Sequence, residues 1–213
     1  MTELVFNTEN WKKDVNQVKQ VIPTLELVPE THTILSETLP EFDFSNPPVD
    51  PNLLASSLVE TCKQNHGIGL SANQCGLPYR VFVMGAEDEF VAFFNPKILN
   101  TSTETSHMQE GCISFPFLGL MITRPSVIDV EYQDFTGEKK TAKFSGITAR
   151  CFQHELDHMN GIKYTSRAKP LALKMALDKR KKTIANVRKK YENMATQLRN
   201  RLPEVDRDTI SKL

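Results

Sequence analysis

Between residues 147 and 159 the hydrophobic pattern of this chain changes period, and the segment "ITARCFQHELDHM" limits the fold more than any other. Ile147, Cys151, His154, Glu155 and His158 fall three or four apart, which sets them along one face of a helix, and Asn160-Gly161 supplies a stop. The helix therefore has a polar pair set into its inner face. Because side chains at i and i+4 share a face, both imidazoles pass the same point. That geometry suits two nitrogen ligands on one metal, with Glu155 beside them to move a proton. A pair of buried, hydrogen-bonded histidines is the other reading, and the motif alone does not decide.

A metal at this point needs a third protein ligand from elsewhere. The longer zincin signature, with a further His six residues on, is missing, since Tyr164 stands there. Among Cys62, Cys75, Cys112 and Cys151, the candidate is Cys112 in "EGCISFP", beside Gly111, where backbone can approach something closely, although the residues alone read equally as a ligand or as core. The other three read as buried structural thiols. No CxxC pair marks a zinc knuckle, and four cysteines in 213 residues do not make a disulfide scaffold. A third segment, "HGIGLSANQCG" at 66 to 76, is on composition only a glycine-punctuated loop. It lacks the Lys of a phosphate-binding loop, and GxG alone is a weak nucleotide signal.

The remaining chain alternates strands and helices. Residues 1 to 50, broken by Pro23, Pro29, Pro40, Pro47 and Pro48, read as an arm and loops, with a short helix within residues 11 to 21. Asp50 and Pro51 open a helix that carries Leu54, Leu58 and Cys62 on one face and stops near Gly67. "YRVFVMG" and "FVAFFNPKIL", split by an acidic turn, read as strands. A third strand places Ile128, Val130 and Tyr132 on one face, and residues 139 to 144 return beside it after Gly137. A last long helix over residues 169 to 198 shows an apolar stripe of Leu173, Leu177, Ile184, Val187, Tyr191, Met194 and Leu198.

A formal net charge of zero hides a division: residues 1 to 162 hold 11 Lys and Arg against 21 Asp and Glu, and residues 163 to 213 hold 15 against 5. Apolar runs stay far below the roughly 18 residues of a membrane span, so a soluble chain is expected. The start lacks a basic, then apolar, secretory pattern, and a cytosolic location is expected.

Taken together, "GIGLSANQ" at 67 to 74, "EGCIS" at 110 to 114 and "HELDH" at 154 to 158 resemble, in order and spacing, the motifs GxGLxAxQ, EGCxS and HExDH of the peptide deformylases. The resemblance covers about residues 20 to 165 and leaves out the basic end. It implies an α+β fold, with antiparallel or mixed β-sheets around a central HExxH helix, in a catalytic domain over residues 1–165; a basic helical extension follows over 166–213. It implies hydrolysis of the N-formyl group from N-formylmethionyl nascent peptides, with release of formate, in a bacterial or phage-infected cytoplasm. Cys112, His154 and His158 would be the metal ligands and Glu155 the acid/base residue. Gln74 and the backbone N–H of Ile113 would meet the oxyanion, and Ile68, Gly69, Gly111 and Ile113 would line the substrate. The implied cofactor is one divalent metal, Fe(II) in the cell, with Zn, Ni or Co able to replace it.

Two departures stand out. Ile113 occupies a place where Leu is usual, with its backbone unaffected. Gly119 stands three residues after Pro116, where many members have an arginine for the peptide backbone, and Arg124 follows a few residues later. The methionine side chain is expected against Ile68, Cys151, His154 and parts of residues 115 to 120, although Phe115 and Phe117 also read as plain core. The final helix, with Lys174, Lys179, Arg180, Lys181, Lys182, Arg188, Lys189 and Lys190, either docks its stripe on the body and leaves its cations in solvent, or offers them to ribosomal RNA phosphates. A monomer without a membrane or DNA partner is expected. Two rival readings are a general HExxH peptidase and a catalytically silent ribosome-binding or RNA-binding module.

Overall fold

Asp50 starts the first regular helix, α1 (Pro51–Gln64): its Oδ1 accepts from the amides of Asn52 at 2.8 Å and Leu53 at 3.2 Å, and Pro51 fills the first turn. Such a cap contributes about 1 kcal/mol. The structure, a computed structural model, describes residues 22–87 and 89–201; the short helix expected within residues 11 to 21 lies outside them. After α1 come β1 (Gly69–Ser71), β2 (Val81–Ala86), β3 (Glu89–Thr101), β4 (Thr105–Glu110), β5 (Leu120–Pro125), β6 (Val127–Gln133) and β7 (Lys139–Ser145). Two helices follow, α2 (Gly146–Met159) and α3 (Pro170–Arg201).

A five-stranded sheet in the order β1-β2-β3-β6-β7 and a two-stranded sheet β4-β5 share one feature: every neighbouring pair is antiparallel. Alternation along β2 and β3 divides the core. Phe82, Met84 and Phe93 face α2, where Phe152 sits within 5.1 to 5.4 Å of the Phe82 and Phe93 rings. Val81, Val83 and Phe94 face α1 and pack with Leu54, Leu58 and Leu70. The larger sheet is thus a middle layer between two helices.

Pro-rich residues 22 to 50 form no long element, yet Ile34, Leu35, Leu39 and Phe42 are buried in the body. Asn95 holds this arm, accepting from Phe42 N at 2.7 Å and donating to Phe42 O at 2.9 Å. It sits at a register shift in β3 with φ 50°, a left-handed value that Asn tolerates better than most residues.

The stripe of α3 docks only at its beginning. Leu173 and Ala176 pack on Phe115, Leu118, Leu120, Ile122 and Tyr164, but Leu177, Ile184, Tyr191, Met194 and Leu198 are exposed. Nor are all its cations in solvent. Arg180 is half-buried, forks onto Glu30 and donates to Pro116 O at 2.8 Å. The described chain has no helix long and apolar enough to cross a membrane.

Candidate active site

Helix α2 ends where Gly161, at φ 67°, passes so close to the arm that a Cβ would lie 2.6 Å from Ser36 O. Arg80 secures the same end through Met159 O at 3.2 Å and Asn160 Oδ1 at 3.0 Å. Burial extends around most of the helix rather than along one inner face, taking in Arg150, Gln153, His154, Glu155, Asp157 and His158. Ile147, expected on that inner face, is 55% exposed at the mouth of a cavity.

Cys112 lies just beyond β4, in a turn closed by Phe115 N donating to Cys112 O at 2.9 Å. Its sulfur is 3.3 Å from His158 Nε2, and one ligand atom from each of Cys112, His154 and His158 lies within 4.8 Å of the others. His154 Nδ1 is 3.0 Å from a Glu110 oxygen, so with Nδ1–H donating to that carboxylate, Nε2 is left to face the sulfur. Burial opposes a charge on His154, but the Cys112 and Glu110 hydrogen bonds and the Glu155 charge outweigh it and lift the imidazole to about 10. Burial and the neighbouring His154 push His158 far below its usual range. Two imidazoles and a sulfur that converge on one point fit a late divalent cation in a three-ligand catalytic site.

Glu110 is the residue the sequence reading passed over. Buried at 6% exposure, it accepts from Arg124 Nε at 2.7 Å and Nη2 at 2.9 Å, and from Arg150 Nη1 at 2.6 Å. Burial works against its charge, yet the Arg124 and His154 hydrogen bonds hold it well below the usual carboxylate range. Arg124 also donates to Asp157 Oδ2 at 2.8 Å, and Arg167 pairs with Asp157 from outside. Arg124 is therefore locked inside the protein and cannot serve a peptide in place of an arginine at 119.

Glu155 is buried, and Ser71 Oγ donates to its Oε2 at 2.7 Å. Desolvation raises its pKa, and the His154 charge and the Ser71 bond only partly oppose that. A Cβ on Gly69 would stand 2.5 Å from Glu155 Oε1 and 2.8 Å from Cys151 Sγ, so glycine is what lets β1 approach this carboxylate. Gln74 follows β1 in a short 3-10 turn. Its Oε1 accepts from Ser71 N at 2.8 Å, and its Nε2 donates to Ser114 Oγ at 3.0 Å and lies 3.5 Å from Cys112 Sγ.

These groups border a cavity of about 340 Å³ lined by Ile68, Gly69, Gly111, Ile113, Cys151 and Glu155 among others. Residues 115 to 120, expected here, do not line it. Phe115 is core, Phe117 is 58% exposed, and both border a second cavity. Cys62 and Cys75 belong to the core around α1, where burial pushes both thiols up to about 12; all four cysteines are free.

The chain is similar to known proteins. The model of the family "Polypeptide deformylase" matches residues 25–174. A peptide deformylase of Thermotoga neapolitana is 42% identical over 128 residues, 60% of this chain and 77% of that protein. One of Wolbachia pipientis is 38% identical over 152 residues, 65% of this chain and 83% of that protein. Among solved structures, the peptide deformylase of Synechococcus elongatus in complex with actinonin superposes with a TM-score of 0.69 at 31% identity, covering 74% of this chain and 88% of that one. That of Thermotoga maritima gives 0.63 at 33%, covering 70% and 99%. With its family match spanning the arm, both sheets and the histidine-bearing helix, the chain belongs to the polypeptide deformylase family and is a metal-dependent hydrolase that removes N-formyl groups.

Proposed function

We propose that the substrate is a peptide beginning with N-formylmethionine and that Glu155 moves the proton its hydrolysis requires, at a divalent cation held by Cys112, His154 and His158. The carrying observation is the place of Glu155: buried, bonded by Ser71, and on the wall of the cavity that the sulfur and His154 also line. When bound, the cation supplies the charge that makes water acidic enough to lose a proton near neutral pH. Glu155, its basicity raised by burial, takes that proton and returns it to the departing amine, so amide and water become formate and a free N-terminus. Gln74 Nε2, its amide fixed in orientation by Ser71 N, and the Ile113 N–H stabilise negative charge on the formyl oxygen. Losing one such donor costs about 3 kcal/mol of barrier. Ile68, Gly69, Gly111 and Ile113 then contact the first residue, whose side chain enters the 340 Å³ cavity.

Fe(II) is the ion assigned, with Zn, Ni and Co as substitutes, and the chain works as a cytoplasmic monomer of catalytic residues 1–165 and extension 166–213. Formate release from formyl-Met-Ala peptides, measured anaerobically with Fe(II) or Ni(II), tests the reading. Glu155→Ala is expected to lose about 10² to 10⁴ in kcat. Full activity in that variant sinks the acid/base role. Cleavage of unblocked peptides would favour a general peptidase, and no formate at all a silent binding module.

Ribosomal RNA is the further partner assigned to α3, through the exposed Lys181, Lys182, Arg188, Lys189 and Lys190 beyond its docked turns. Removing residues 181 to 213 keeps those turns and takes away all five cations; equal ribosome pelleting of truncated and full chains at low salt rules the contact out.

A further inference from the structure

Residues 109 to 112 form a ridge with a cavity on each side: Gln109, Glu110, Gly111 and Cys112 line both the 340 Å³ cavity and a second one of about 590 Å³. Two residues of α3, Ala176 and Lys179, form part of the second wall. This turn of helix is fixed, since Ala176 packs on the core and Arg180 is bonded to Glu30 and Pro116 O. Lys179 is exposed and has no ion-pair partner among the described residues. The other charged group on this wall, Glu110, is already taken by Arg124, Arg150 and His154. Among the described residues that line the cavity, Lys179 is thus the one uncompensated charge. Gly119 and Gln109 lie against each other in this wall, where a Cβ on Gly119 would stand 2.3 Å from the end of the Gln109 side chain.

A peptide with its first residue in the smaller cavity and its amide at Cys112 continues past the ridge into the larger one. We propose that α3 completes the peptide groove, with the Lys179 ammonium as a specificity determinant that favours substrates bearing a carboxylate downstream of the first residue. The inference rests on the deformylase reading for which peptide enters. The carboxylate can be an Asp or Glu side chain or the C-terminus of a short peptide, and the test separates these sources.

Peptides Met-Ala-Asp-amide, Met-Ala-Asn-amide and Met-Ala-Asn with a free C-terminus are titrated into the full metal-loaded chain by calorimetry, and their formylated forms are assayed for formate. Carboxylate-bearing peptides are expected to bind roughly two- to fivefold more tightly, the range of an exposed ion pair, with the change in KM rather than kcat and fading at high salt. Lys179→Glu is expected to reverse the preference. Equal binding of all three peptides, or a preference that Lys179→Glu leaves unmoved, overturns the proposal. If no peptide yields formate the deformylase assignment fails, and the titration still decides the role of Lys179.

Discussion

Replacing Glu110 by Gln keeps the side-chain shape and removes one charge. The carboxylate accepts four bonds, two on each oxygen: Arg124 Nε and Arg150 Nη1 on Oε1, Arg124 Nη2 and His154 Nδ1 on Oε2. Whichever oxygen becomes an amide nitrogen, two donors then face a donor. Arg150 is also left without an anion, holding only Ser106 and Ile122 O. Breaking a buried pair from one side costs about 3 to 5 kcal/mol. At 2 to 4 °C per kcal/mol for a chain of this size, the expected fall in Tm is about 6 to 20 °C. The pH dependence carries a sign. Because the folded pKa of Glu110 is depressed, its stabilisation is complete above the unfolded carboxylate value of about 4.3 and is lost as pH falls through the folded value. The gap between wild type and variant, followed by thermal unfolding in a pH series, should close in acid, and should narrow above about pH 6.5 as His154, which Glu110 helps to keep protonated, loses its proton. Adding Arg150→Met removes the stranded cation and should recover part of the loss. A Tm drop under about 2 °C, or a double variant no more stable than the single one, would refute the assignment of Glu110 as an energetic hub.

Gly69→Ala should lower kcat by about 10² with metal content unchanged, because a Cβ 2.5 Å from Glu155 Oε1 must displace a buried carboxylate; wild-type kcat in this variant would show that the position of Glu155 is not critical. Cys112→Ala should lose its stoichiometric cation by elemental analysis, and retention of one equivalent per chain would remove Cys112 from the ligand set.

Much of the fold could be read where burial follows a period. The faces of α1 and β6 are written in apolar residues at spacings of three to four or two. β5 was missed although it alternates, with Leu120, Ile122 and Arg124 buried and Met121 and Thr123 exposed. One inward arginine disguised the pattern, since a lone charge reads as surface. β4, "TSHMQE", has almost no apolar content, and β1, three residues long, is too short to show any period. In the site, Cys112, His154 and His158 were legible because ligand chemistry restricts residue type. Glu110 was not: its partners Arg124 and Arg150 lie 14 and 40 positions away, and no local pattern relates them. Lys179 was read only as one cation among several, because what sets it apart is the cavity it borders.

The arginines also explain how two buried carboxylates so close in the fold acquire opposite properties. Glu110 and Asp157 are held by Arg124, Arg150 and Arg167, and Glu110 stays ionised as a fixed acceptor for His154. Among the described residues no arginine is in ion-pair contact with Glu155; its hydrogen-bond donor is the neutral hydroxyl of Ser71, and burial raises its pKa. An arginine on Glu155 would hold the proton affinity down and deprive it of basicity. A structural carboxylate needs the reverse, a partner strong enough to keep it charged at any working pH. Distributing three cations over two acids, and none in contact with the third, leaves Glu155 the more basic carboxylate, as the proposed acid/base role requires.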